Sequence, residues 1–237
     1  MDYKHRNLLL KNHTFIVEVT IITLIIIIFT FSKTTYARIR DNKIDIFLEK
    51  IEETNKKINT ISVDYVQNIF FEFTKEEKKN CGKLFFKKNC GVYINQKIPQ
   101  EQQIYFDGKN ITIYTPKNRQ VIIDNWNGAI NENSTSTTLL SFIGVCGDLK
   151  RMKKTNMIDF VDEDEKYVLV KVTTLSKENC DIKIYISKLN MYPEKIVVKF
   201  DGAIMETMFK HYIINSNLDK NMFKFNMSND IEMVKLN

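Results

Sequence analysis

From Val63 onward the side chains change character at every second residue, and this alternation confines the chain to extended structure more tightly than any other feature. Val63, Tyr65, Gln67, Ile69, Phe71 and Phe73 alternate with Asp64, Val66, Asn68, Phe70 and Glu72, which predicts a long strand with one almost wholly apolar face. Shorter runs follow at Lys83–Lys88, Val92–Gln96, Gln103–Phe106, Ile111–Thr115 and Gln120–Ile123. A second set covers Met157–Val161, Tyr167–Thr173, Asp181–Ser187, Lys195–Phe200 and Met205–Ile214. Lys75–Lys79 reads as a charged hairpin loop, and Asp107-Gly108 and Asp201-Gly202 are turn signals. About eleven strands result. The intervals between them are too short for crossover helices, so the fold is expected to be mainly β, a single antiparallel meander and not a doubly wound α/β sheet.

One helix precedes the strands. Ile44, Phe47, Leu48, Ile51 and Ile58 recur at helical spacing, while Glu49, Lys50, Glu52, Glu53, Lys56 and Lys57 occupy the other face. That polar face mixes both signs of charge, which predicts packing on the protein's own core in preference to a membrane surface. Between the two sets of strands, the polar stretch Asn131–Thr138 leads into Leu139, Leu140, Phe142, Ile143 and Leu149, a short helix or apolar lid. With 43% hydrophobic residues and only 7 Gly and 3 Pro, the chain is neither collagen-like nor disordered. No repeat or composition break marks a second domain. The net charge of +6 is interspersed along the sequence, so no nucleic-acid partner is expected.

Residues 1–37 have the pattern of a secretory signal peptide. Lys4, Arg6 and Lys11 precede the apolar run Val19–Phe31, and Thr35-Tyr36-Ala37 ends on a small residue. A membrane-spanning helix needs about 20 apolar residues, and extending this run back to Thr14 would bury Glu18. Cleavage after Ala37 is therefore favoured over an uncleaved anchor, leaving residues 38–237 as one exported domain. No cysteine lies in or just after the apolar run, so the protein is not expected to be lipidated itself. Export removes His5 and His13 and leaves His211 as the one histidine. Cys81, Cys90, Cys146 and Cys180 remain, with three possible connectivities. If Cys81 to Cys90 is extended, its ends lie about 30 Å apart, which makes that pairing the least favoured.

Catalytic motifs are missing from the sequence. It holds no Gly-x-Ser-x-Gly elbow, phosphate loop, His-Glu-x-x-His, Cys-x-x-Cys or EF-hand loop, and a multi-histidine metal site cannot form around His211 alone. No catalytic residue, metal or cofactor is expected. Asp162-Glu163-Asp164-Glu165 reads as a solvated hairpin loop in preference to a Ca²⁺ site. His211 reads as a packed or surface side chain, and Trp126 as a core or rim tryptophan.

Several motifs follow one another across residues 43–235. The helix leads into Tyr65-Val66-Gln67, an aromatic-x-Gln strand start; Gly82-Lys83-Leu84 opens the second strand; Pro99 precedes Asp107-Gly108-Lys109; Tyr114 and Gln120 sit in the next hairpin. Leu139-Leu140 with Gly144 and Gly147-Asp148-Leu149 stand mid-chain, and Asn215-x-x-Leu218-Asp219, Phe223-x-Phe225 and Asp230-Ile231-Glu232-Met233-Val234 come last. In this order the motifs resemble the periplasmic lipoprotein carrier family, LolA, the mid-chain set its lid and the last set its closing pattern.

The resemblance implies a half-open β-barrel with a helical lid over an apolar cavity, in a monomeric, non-enzymatic periplasmic carrier. Its partners would be acylated lipoproteins, an inner-membrane ABC-type exporter and an outer-membrane acceptor. Val63, Tyr65, Ile69, Phe71 and Phe73 of the first strand, Leu84 and Phe86 of the second, and Leu139, Leu140, Phe142 and Ile143 of the lid would line the cavity, with Gln67 or Lys88 limiting how tightly chains are held. The sequence departs from the family where Lys-Arg-Pro often follows the second strand. Here Lys87-Lys88-Asn89 stands there, so Lys88 would replace a lid-holding arginine without its planar, bidentate contact. Three rival readings are a periplasmic lipid-sensing regulator, or carrier of another lipid, on the same fold; a secreted β-rich enzyme acting on lipids or glycans; and an exported structural or adhesive sandwich with no ligand.

Overall fold

The period-two segments pair along their whole length into a single sheet. The computed structural model describes residues 44–125, 156–174, 181–200, 202–228 and 231–236. The strands are β1 (Thr60–Phe71), β2 (Glu77–Lys87), β3 (Gly91–Ile98), β4 (Gln102–Phe106), β5 (Asn110–Thr115) and β6 (Gln120–Asn125), then β7 (Asn156–Glu163), β8 (Tyr167–Thr174), β9 (Asp181–Ser187), β10 (Pro193–Phe200), β11 (Ala203–Ile214) and β12 (Glu232–Leu236). Their spatial order is β12-β6-β5-β4-β3-β2-β1-β11-β10-β9-β8-β7. Two antiparallel meanders, β1 to β6 and β7 to β11, are thus joined edge to edge by β1 and β11. The outermost strands, β12 and β7, stay unpaired with each other, so the barrel is half-open.

The chain divides into two units, Met1–Ile46 and Phe47–Asn237. The second contains all twelve strands. Of the first, only residues 44–46 are described, and they belong to the opening of helix α1 (44–56). Within the second unit the apolar stripe of α1 is buried at Phe47, Leu48 and Ile51, as is Ile58 beyond it. The signal segment, Trp126, the Leu139–Ile143 lid, Cys146 and Cys180 lie outside the described residues.

Three details depart from the sequence pattern. The first strand stops at Phe71, so Phe73 is not a strand residue: Phe71 N–H donates to Glu76 O and Glu72 N–H to Gly202 O, which turns the chain. Phe73 is 83% exposed, its ring lying over Gly202, where a Cβ would fall 2.2 Å from a ring carbon. The loop expected at Lys75–Lys79 is mostly strand, since β2 already begins at Glu77. A twelfth strand also joins the sheet, and β12 runs parallel to β6, which a meander of hairpins does not produce.

Ahead of β12, residues 215–228 form a strap across one face of the sheet. Thr60 Oγ1 on β1 donates to Ser216 O at 2.7 Å, and Lys87 Nζ on β2 donates to Leu218 O. Asp219 caps a short 3-10 turn, Lys220–Phe223, by accepting from Asn221 N–H, and Phe223 is buried. Phe225 then packs against Tyr105 of β4 and Tyr114 of β5, with centroids 5.7 and 5.2 Å away. The motif Asn215-x-x-Leu218-Asp219…Phe223-x-Phe225 is therefore the set of fastenings of this strap.

Asn215 begins it. Its φ of 58 lies in the left-handed region, its Oδ1 accepts from Asn59 N–H at 2.7 Å and its Nδ2 donates to Lys57 O at 2.9 Å. Asparagine suits the position because it tolerates that backbone conformation and also supplies the two bonds. Asn215→Ala is expected to lower unfolding stability by about 2 kcal/mol, combining backbone strain with lost hydrogen bonds. Asn215→Gly should lose about half as much, because glycine removes only the bonds. Urea unfolding of the three proteins compares them; equal losses for both variants would show that the backbone conformation is irrelevant there.

Candidate functional site

The register places the odd-numbered residues of β1 on one face with a matched set from both neighbours. Ile61, Val63 and Tyr65 lie opposite Phe86, Leu84 and Gly82 of β2, while Tyr65, Ile69 and Phe71 lie opposite Phe209, Met205 and Ala203 of β11. Outward on one side, Leu84 meets Ile94 of β3, and Ile94 meets Ile104 of β4. On the other, Met205 meets Val198, which meets Ile182 of β9 and then Val172 of β8. All of these except Phe71, Gly82 and Phe86 are buried. One continuous apolar face, the inner face, therefore crosses the joint between the two meanders.

Of the residues expected to line a cavity, Val63, Tyr65, Ile69, Phe71, Leu84 and Phe86 come together here. Phe71 is half-buried at the far end of β1, with Lys78 Nζ 5.4 Å from its ring centroid. Phe73 stands apart in the hairpin turn. Leu139, Leu140, Phe142 and Ile143 lie outside the described residues.

Amides and hydroxyls interrupt the apolar face in two short chains. Gln67 Nε2 donates to Thr207 Oγ1 at 3.0 Å, and Asn80 Nδ2 donates to Gln67 Oε1 at 2.8 Å, linking β11, β1 and β2. Gln96 Nε2 donates to Gln102 Oε1 and Gln102 Nε2 to Thr115 Oγ1, both at 3.2 Å, linking β3, β4 and β5. Gln67, Gln96, Thr115 and Thr207 are all buried. Apart from Gln67, these groups were missed in the sequence; continuing the period-two parity from Leu84 to Asn80, or from Ile94 to Gln96, assigns them to the same face. Gly82 stands between the chains, where a Cβ would lie 2.2 Å from Asn95 O, so β3 approaches β2 too closely for any side chain.

Tyr65 is the one titratable side chain among the buried described residues of this face, and burial pushes its hydroxyl well above the ordinary tyrosine range. Apolar chains can lie on such a surface with their polar ends near neutral hydrogen-bonding groups. Among the described residues no cluster of three His, Cys, Asp or Glu side chains comes together.

Lys88 lies in the β2–β3 turn. It is exposed, and its backbone N–H donates to Asn59 O at 2.8 Å. The next residue, Asn89, has φ 63, a conformation proline cannot adopt, which accounts for asparagine after the lysine pair. Cys81, within β2, and Cys90, at the end of the turn, are both free thiols.

The opposite face carries the strap and an aromatic row. Phe85 stacks on Tyr93 at 5.7 Å, Tyr93 on Tyr105 at 4.9 Å, and Phe225 closes over Tyr105. His211 is also on this side, at a bulge in β11 with φ 56, its Nδ1 3.0 Å from Asp64 Oδ2. Lys83 Nζ is 3.2 Å from the other Asp64 oxygen. The His211 hydrogen bond, assisted by Lys83, lowers the Asp64 ionisation despite some desolvation. The acidic run forms the β7–β8 turn, where Asp164 Oδ1 accepts from Lys166 and Tyr167 N–H groups, each at 2.7 Å.

Comparison with known proteins places this geometry in a family. The profile of the outer membrane lipoprotein carrier protein LolA matches residues 56–226. Outer-membrane lipoprotein carrier proteins of Pasteurella multocida and Actinobacillus succinogenes are each 32% identical to the chain, over 77 and 76 residues. Those alignments cover 32% of the chain and 37% and 36% of the relatives, so the chain matches little more than a third of their length. The crystal structure of an uncharacterized conserved protein from Thermus thermophilus has the same fold, with a TM-score of 0.51, 10% identity, and coverage of 82% of the chain and 99% of that structure. An open half-barrel with one apolar face is the architecture of a lipoprotein-carrier fold. The chain belongs to the LolA family.

The strap face is expected to make stability depend on alkaline pH. Burial, aided by Tyr93, raises Tyr105 to about 12, and burial also raises Tyr93. A hydroxyl that ionises later in the folded than in the unfolded chain contributes fully below the ordinary tyrosine value, about 10, and loses that contribution as the pH climbs toward the folded value. Urea midpoints should therefore fall from about pH 10 to 12 more steeply for the parent than for Tyr105→Phe. Parallel curves would show that the strap does not desolvate Tyr105.

Proposed function

We propose that the protein is a periplasmic carrier that receives the acyl chains of lipoproteins from an inner-membrane ABC-type exporter and passes them to an outer-membrane acceptor. The observation that carries this reading is the inner face, apolar from β4 through β1 and β11 to β8, in a member of the LolA family. Hydrocarbon chains exposed to water cost about 0.8 kcal/mol per CH₂, so a courier between membranes needs such a surface. Val63, Tyr65, Ile69, Leu84 and Phe86 would form the wall, Phe71 its rim, and Leu139, Leu140, Phe142 and Ile143 its cover, with Lys88 at the gate. Residues 1–37 direct export, and residues 38–237 act as one domain.

Phe71 gives the most direct test, since it is only half-buried and a charge there need not unfold the protein. Phe71→Glu is expected to weaken binding of a labelled diacylated lipopeptide at least about tenfold while costing less than about 2 kcal/mol of stability. Undiminished binding in the folded variant would remove Phe71 from the site. For the parent protein, mass spectrometry of material recovered from a periplasm should find co-purifying acylated protein; reproducible recovery without any acylated partner would count against the carrier reading.

Export makes a separate prediction. Expressed with its leader in a bacterial host with two membranes, the protein should be recovered from the periplasm beginning at Arg38. N-terminal sequencing that returned Met1 from a membrane fraction would instead identify residues 1–37 as an anchor.

A further inference from the structure

Among the described residues, polar groups buried on the inner face are answered from within the protein, with one exception. Gln67 is committed on both sides, to Thr207 and to Asn80, and Gln96, Gln102 and Thr115 are linked to one another. The hydroxyl of Tyr65 has no hydrogen-bond partner among the described residues, although the residue is only 7% exposed. Asn95 Oδ1 and Ser216 Oγ, also buried without a hydrogen bond, belong to the opposite face and to the strap. Buried hydroxyls are as a rule paired, so an orphan on the face proposed to receive a ligand points to a partner that arrives with it.

The surroundings narrow the chemistry of that partner. Tyr65 lies opposite Phe209 on one side and Gly82 on the other, so β2 places no side chain beside its ring. Val63 and Ile69, at two and four residues along the same face, are apolar and buried. No cationic side chain is among the buried described residues of this face. An anionic headgroup would be left uncompensated here, whereas a neutral acceptor would not. Burial keeps the phenol protonated and able to donate. Acyl lipids carry such an acceptor, the carbonyl oxygen, where each chain is joined to its backbone.

We infer that the Tyr65 hydroxyl donates a hydrogen bond to the carbonyl oxygen of an acyl ester or amide whose hydrocarbon chains lie on the flanking apolar side chains. The assignment rests on the carrier reading and adds to it a preference for acyl-linked over alkyl-linked chains. One neutral hydrogen bond corresponds to about a three- to tenfold difference in affinity.

The test uses two probes of equal chain length, dipalmitoylglycerol and dihexadecylglycerol, which differ in having ester or ether linkages. Each competes with pyrene-labelled hexadecane for the purified protein. The parent should bind the ester about three- to tenfold more tightly than the ether, and Tyr65→Phe should remove that preference by weakening only the ester. Ligand-free Tyr65→Phe should unfold at the same urea concentration as the parent or higher, because it loses a hydroxyl that has no partner. Equal affinity of the parent for both probes, an ester preference that survives in Tyr65→Phe, or a lower unfolding midpoint for that variant would each overturn the assignment. Failure of the parent to bind labelled hexadecane or either glycerolipid would overturn the carrier reading, and this inference with it.

Discussion

The pairing of β1 with β11 holds the rest of the structure in place. Each meander can form from hairpins between near neighbours, but the bond from Gln67 to Thr207 joins residues 140 positions apart. Without that joint there are two smaller sheets, each with a long exposed edge open to pairing with another chain. With it, β1 becomes central, its inner residues are flanked by side chains from both neighbours, and apolar residues on either side of the Gln67–Thr207 pair carry the inner face from one half to the other. Such a contact must overcome loop-closure entropy before it stabilises anything, so its formation is expected late, after the local hairpins.

The strap depends on that joint and secures it. It leaves the end of β11 at Asn215, beside the start of β1, and crosses β1, β2, β4 and β5 before β12 pairs with β6. Covering one face with the chain's own C-terminal segment assigns the two faces different tasks. The outer face is filled by an aromatic stack, while the inner face is the one proposed to receive a ligand. Polar groups divide in the same sense: ionisable groups such as Asp64, Lys83 and His211 occupy the outer face, whereas the inner face carries neutral amides that satisfy one another. A neutral polar chain costs little when satisfied, and under the proposed function it would lessen the adhesion of hydrocarbon along its length and so ease release.

Much of this could be read in the sequence because alternation reports a local physical fact, the pleat. The inner positions of β1 from Val63 to Phe71, the antiparallel hairpins, the Asp107-Gly108 turn and the order of family motifs all follow from residues near one another. Alternation does not report where a strand stops. Phe73 continues the parity of Phe71, yet backbone bonds to Glu76 and Gly202 end the strand between them. It is equally silent on partners, so β12 had no signature as a parallel strand, and the amide chains through Gln67 and Gln96 needed a register set by distant segments. The orphaned hydroxyl of Tyr65 was out of reach for the same reason: an aromatic at an inner position is visible in the pattern, whether anything meets its oxygen is not.

The departure at Lys87-Lys88-Asn89 acquires a structural sense once the strap is considered. Its first lysine is already engaged, since Lys87 reaches Leu218 O on the outer face. The third residue must be left-handed to turn the chain into β3, which asparagine allows and proline forbids. Lys88 is exposed, held by its backbone to Asn59 at the junction of α1 with β1. A flexible ammonium there reaches several acceptors with one point charge instead of fixing one of them in a planar fork. In the proposed carrier, a closure over the inner face that used Lys88 would be held less firmly than an arginine would hold it, and apolar contact would supply more of the restraint. Such a cover would open most readily where hydrocarbon competes for the same side chains, which under the proposed function is at the arrival of an acyl chain.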